Sequence, residues 1–149
     1  MMKHKMLTIS EIEERVNRIN EDLCLDKNKL PSYGKSNENN PTFVMIDDNG
    51  YSLFEFNPYH NEKKQHLIIN TLDVNELLFE IFKDSTRFIG IKYELENRIP
   101  NQDTRIMMFT KHIEILNSLQ LDKKFIIRLK EHYDYLLQLK KPLPIPDKW

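Results

Sequence analysis

Two apolar runs, "TFVMID" and "YSLFEFN", are separated only by Asp48, Asn49 and Gly50. An Asn-Gly pair between apolar runs is among the strongest hairpin signals a chain can carry. The middle of this chain is therefore committed to an antiparallel ribbon. After "PYHNEKK", which reads as a longer turn, "QHLIIN" supplies a third strand. Phe54 and Phe56 point to one side of the second strand, Tyr51 and Leu53 to the other. One side is expected to meet helices, and the other to be covered or to meet a partner.

The apolar period on either side of this meander is helical. Thr8 with Glu11 forms a capping box, Leu7 can staple onto Ile12, and Ile12, Val16, Ile19 and Leu23 line one face. "KLPSYGKSNENNP" is rich in turn formers and reads as a loop. Asp73 with Glu76 repeats the capping pattern ahead of Val74, Leu77, Leu78, Ile81 and Phe82. "KDST" is placed as a bend or break, with helix resuming to about Arg98 and ending at Pro100. Asp103 or Thr104 caps the next helix, and Asp122 the last. The expected architecture is α+β: an N-terminal helix, a three-stranded antiparallel meander, then three to four helices packed on the sheet. Residues 1–149 read as a single domain, with 1–6 and 143–149 as flexible tails.

Composition narrows the function classes. Charged side chains nearly cancel, at a net charge of −1, so the basic excess of a nucleic-acid binder is missing. Cys24 is the sole cysteine, which excludes an internal disulfide and a four-thiolate zinc site. The start carries no signal-peptide apolar core, and no run is long enough to span a membrane; a cytoplasmic protein is expected.

Enzymatic motifs are sparse. Glycines stand alone at 34, 50 and 90, so no Gly-rich phosphate loop exists. His60 and His66 with Asp47 or Asp48 match no metal-ligand spacing, and no metal or other cofactor is expected. Arg105 and His112 have the Arg-six-His spacing that resembles the active-site motif of HEPN ribonucleases. Here Ile106 follows the arginine where that family has a polar residue, and chance alone supplies about 0.6 such matches. An HEPN-like ribonuclease, or an unrelated protein-binding module, stands as the alternative. The pairs Asp47–Asp48 and Glu76–Glu80 lack a third group to tune them, and read as turn and wet-face residues.

The stretch "YELENRIPNQDTRIMMF" sets Arg98, Asp103 and Arg105 around a helix corner. Arg98 can meet helix-end carbonyls, and Asp103 can pair with either arginine, so the three are expected to fasten two helices as a triad. Together with Pro31, Tyr33 and Gly34, "TLDVNELLFEIF", the run from Tyr93 to Phe109, and Leu139, Pro142 and Asp147, this order of pieces resembles the Immunity protein 63 family. The chain departs from that pattern at "FEFNPY" and at Thr104. The resemblance implies a bacterial polymorphic-toxin immunity protein that binds and neutralises a cognate toxin domain in contact-dependent competition, without a reaction of its own. Monomer and homodimer both stay open, since the two-faced strands permit an edge-to-edge dimer. The expected partner-binding residues are Asp47, Asp48, Tyr51, Glu55 and Tyr59, since acidic and aromatic groups together suit a basic surface.

Overall fold

The computed structural model describes residues 6–35, 39–56 and 65–139. Tyr59, the turn that holds it, residues 1–5 and the tail from 140 onward lie outside the described residues. The architecture is α+β: an N-terminal helix, a four-stranded mixed sheet, then three helices. By backbone contacts the chain divides into two compact units, Met1–Ile81 and Phe82–Trp149.

In the first unit, α1 (Ile9–Leu23) begins at the expected capping box. Glu11 N donates to Thr8 Oγ1 and Thr8 N donates to Glu11 Oε1, at 3.2 and 3.0 Å. Ile12 and Val16 are fully buried. The helix stops at Cys24, whose left-handed backbone (φ 52°) lets its N–H reach the Asn20 carbonyl.

The sheet runs β1 (Ser32–Tyr33), β2 (Thr42–Asp47), β3 (Gly50–Phe56) and β4 (Gln65–Thr71), in that order. The meander itself is as expected, but the segment read as a loop contributes β1, which pairs in parallel with β2. Only two residues long, β1 has too little alternation for a sequence pattern to register. In the hairpin Asp47 pairs with Gly50, and Asp47 Oδ1 accepts from Asn49 N at 2.7 Å. The positive φ falls on Gly50 (125°) rather than on the loop pair Asp48–Asn49. A Cβ at Gly50 would stand 2.6 Å from the Thr71 carbonyl oxygen, so only glycine lets β4 approach here.

Val44 faces Leu53 across the β2–β3 ladder, and both are fully buried on one side of the sheet. On the other side Phe43 stacks on Phe54, with centroids 5.1 Å apart. A register shift opposite Leu53 and Phe54 leaves Ile68 unpaired in β4.

In the second unit the helices are tied to one another closely. The helix α2 (Val74–Glu96) spans both units and runs unbroken through "KDST", correcting the expected interruption. Within that stretch the Thr86 hydroxyl donates to the Phe82 carbonyl one turn back, which satisfies a buried polar side chain without leaving the helix. Next come α3 (Arg105–Ser118) and α4 (Lys123–Leu137), joined by a four-residue connection and packed together. Asp122 Oδ1 caps α4 by accepting from Lys124 N.

Gly90 of α2 sits where α3 crosses. A Cβ there would come within 2.8 Å of the Met108 carbonyl oxygen and 3.4 Å of His112 Cβ. Gly90→Val should therefore destabilise by about 3 kcal/mol, the cost of overpacking exceeding the gain in helix propensity. Urea unfolding measures this; an unchanged midpoint would mean that the helices do not approach so closely.

Candidate functional site

The expected partner-facing residues do not all reach the surface. Asp47 and Asp48 are exposed at the hairpin tip, and Glu55 is exposed near the far end of β3. Tyr51 is buried, and its hydroxyl accepts from the Leu7 backbone N–H at 2.7 Å, tying the start of α1 to the sheet. Because Asp47 pairs with Gly50 while Glu55 pairs with Thr42, the two carboxylates lie about 17 Å apart along the ribbon. They also project from opposite sides, since odd and even positions alternate across the pleat.

The helix corner is two forks rather than one triad. Arg98 donates to both oxygens of Glu94, each at 2.9 Å, instead of meeting helix-end carbonyls. Glu94 also accepts the Thr104 hydroxyl, which joins the end of α2 to the start of α3. Arg98 holds the Glu94 carboxyl below its ordinary range, against the opposing effect of burial. Glu94 is the residue that sequence reasoning missed. Its signal was available as a Glu four residues before an Arg on one helix face.

The second fork pairs Arg105 with Asp103, Nη2 to Oδ2 at 2.8 Å and Nε to Oδ1 at 3.0 Å. The same guanidinium reaches across to α4, where Nη1 donates to the Leu136 carbonyl at 2.9 Å and Nη2 to that of Leu139 at 3.3 Å. The Leu136 carbonyl also accepts the Leu139 N–H at 3.1 Å, so the guanidinium adds a second donor at a helix C-terminus, where a cation is favourable. Asp103 is 49% exposed, and the Arg105 fork holds its carboxyl below the usual carboxylate range.

His112 lies two turns further along α3 and is 2% exposed. Its Nε2 is 3.0 Å from the Lys83 carbonyl oxygen, which can only accept, so Nε2 carries the proton. Nδ1 then accepts from the Tyr133 hydroxyl at 2.6 Å. Burial pushes the imidazole down to about 4, so it is neutral at physiological pH. Tyr133, raised to about 12 by burial, stacks face to face on Phe109 at 4.0 Å. Arg105 and His112 thus each have internal partners: the arginine grips a helix end, and the histidine bridges α2, α3 and α4.

Among the described residues, two concavities differ in chemistry. One of about 370 Å³ beside β1 is lined by Glu13, Asn17, Lys27, Tyr33 and Lys35. Among the described residues the buried Tyr33 hydroxyl has no hydrogen-bond partner, and burial, with the Glu13 charge adding, raises its pKa. The other, about 510 Å³, runs between α3 and α4 and is mostly apolar. Among the described residues no cluster of three or more His, Cys, Asp or Glu is placed to hold a metal. Nor is any described helix long and apolar enough to cross a membrane.

A small α+β protein whose buried ionic and imidazole groups tie helix to helix has the character of a rigid scaffold. The model of the Immunity protein 63 family matches residues 60–135, slightly more than half of the sequence, and the chain belongs to that family. The matched segment takes in β4, α2, α3 and most of α4, and so contains the whole Arg98–Asp103–Arg105 corner. Pro31, Tyr33 and Gly34, and the pieces near the C-terminus, lie outside it. No curated protein and no solved structure matches the chain.

Proposed function

We propose that this immunity protein acts in the cytoplasm by binding a cognate toxin domain one to one, as a single functional domain with no reaction of its own. Membership of the Immunity protein 63 family carries this reading. It is supported by the engagement of Arg105 and His112 with internal partners, since a catalytic Arg–His pair must present both groups to substrate.

The hairpin is the proposed toxin-facing element, through Asp47, Asp48 and Glu55, with Tyr59 later in the chain. The burial of Tyr51 leaves it a supporting role, anchoring the sheet that presents the carboxylates. The exposed Asp47 and Asp48 at the hairpin turn, with Glu55 further along β3, suit a toxin surface rich in Lys and Arg, mainly by speeding encounter and setting orientation.

The test is co-expression with the toxin domain encoded beside this gene, scored by survival and co-purification. Asp48→Lys with Glu55→Lys should weaken toxin binding by about tenfold or more and leave Tm unchanged. Asp47→Asn is the companion variant, because it removes charge while keeping the Oδ1 acceptor for Asn49 N. Full affinity in all three variants would exclude the hairpin; survival lost with the wild-type protein would exclude the immunity reading for that toxin.

A further inference from the structure

The exposed crests of α3 and α4 share one spacing. On α3, Ile106, Thr110, Ile113 and Asn117 line the groove at intervals of four, three and four. On α4, Lys123, Ile127, Lys130 and Asp134 do the same. That interval averages about 3.7 residues, close to the 3.6 of a straight helix, so each row keeps to one face along its helix. Ile106 and Ile127 are 57% and 56% exposed, so each helix sets an isoleucine at the surface where a bundle would bury it. Two antiparallel helices with such crests form half of a four-helix bundle.

Charge selects what completes it. Among the described residues, Lys123, Lys130 and Asp134 have no ion-pair partner. Laid antiparallel on a second α4, this crest puts Lys123 opposite Asp134 and Ile127 opposite Lys130, and twofold symmetry repeats both pairings. A parallel arrangement sets lysine against lysine. Laying α3 on the second copy's α4 leaves Asp134 facing Ile106. Of these arrangements only the antiparallel, self-complementary one pairs Lys123 with Asp134, while the Lys130 stem lies along Ile127 with its ammonium free to reach water.

We propose that this face is a self-association surface, through which two copies of the chain pair with their α4 helices antiparallel and Lys123 of each opposite Asp134 of the other. The occupant is a second copy of this chain, and the proposal is independent of the toxin reading. Helix lengths give a face of about 22 by 20 Å, at the small end for a specific interface. The dimer should therefore form with a Kd on the order of 10 µM.

Sedimentation velocity of the full chain, from well below to well above that concentration, tests it. The wild type should pass from monomer to dimer. Ile127→Asp, at an exposed position, should weaken association by at least about tenfold while circular dichroism stays unchanged. Asp134→Lys alone should weaken it by about three- to tenfold, and adding Lys123→Asp should restore it. A monomer at every concentration, a dimer indifferent to Ile127→Asp, or a charge swap that fails to restore pairing overturns the proposal. A groove that takes up toxin in a strictly monomeric protein overturns it too.

Discussion

Replacing His112 with alanine should destabilise the protein by about 3–5 kcal/mol, and the wild type should lose stability in mild acid because of the same residue. The first effect combines a cavity at a position only 2% exposed with lost partners for Tyr133 and the Lys83 carbonyl. The second follows from linkage. The folded imidazole titrates near 4 and the unfolded one near 6.5, so between these values the unfolded chain binds a proton that the native state does not. Stability is full above pH 6.5, falls as pH drops towards 4, and levels off for this group below that. A shift of that size corresponds to about 3 kcal/mol.

Two carboxyls are also held below their ordinary values. Glu94 and Asp103 are held down by their arginines from ordinary values of 4.5 and 3.8, so their contributions are lost only at more acid pH. The interval from pH 6.5 to 5 therefore isolates His112 from these carboxylates. Denaturant midpoints across it should slope in the wild type and lie flat in His112→Gln, whose amide can still donate and accept. Equal slopes in the two proteins would show that the imidazole is not buried neutral.

Arg105→Ala is the second large effect, at about 2–4 kcal/mol. It removes the donors that meet the Leu136 and Leu139 carbonyls and leaves the last turn of α4 without its clamp. Arg105→Lys should recover little of this, because an ammonium cannot reproduce the planar fork that meets Asp103 and the helix end together. Asp103→Ala should cost under about 1 kcal/mol, since that carboxylate is half exposed and water replaces part of the pair. Chemical denaturation gives the order, and amide exchange at the end of α4 locates it. Asp103→Ala proving the costlier change would reverse the assignment of which partner holds the corner.

Much of this was legible because it is local. Thr8 and Glu11, Asp122 and Lys124, and the Asp47 turn join residues two to three positions apart, so their spacing in the chain is already their spacing in space. The Glu94–Arg98 fork is equally local at four residues, whereas Asp103, the nearer acid to Arg105, pairs with that arginine alone. The candidate site was less legible. Exposure of Asp47, Asp48 and Glu55 agrees with their polarity, whereas Tyr51 looks from its neighbours like a surface aromatic and is buried. Its hydroxyl partner, Leu7, is 44 residues away.

Periodicity and capping chemistry by themselves settled that this chain is α+β, where its hairpin turns and where most helices start, because those preferences act within one turn or one strand pair. The tertiary structure alone decided which charges meet and which face inward. Arg105 finds its carbonyls 31 and 34 residues away, His112 finds Lys83 and Tyr133 at 29 and 21, and β1 exists only because β2 lies beside it. The reason is physical: burial and hydrogen-bond partnership depend on distances that a linear pattern does not contain. The same side chains that a motif reads as reactive become fasteners once their donors are filled.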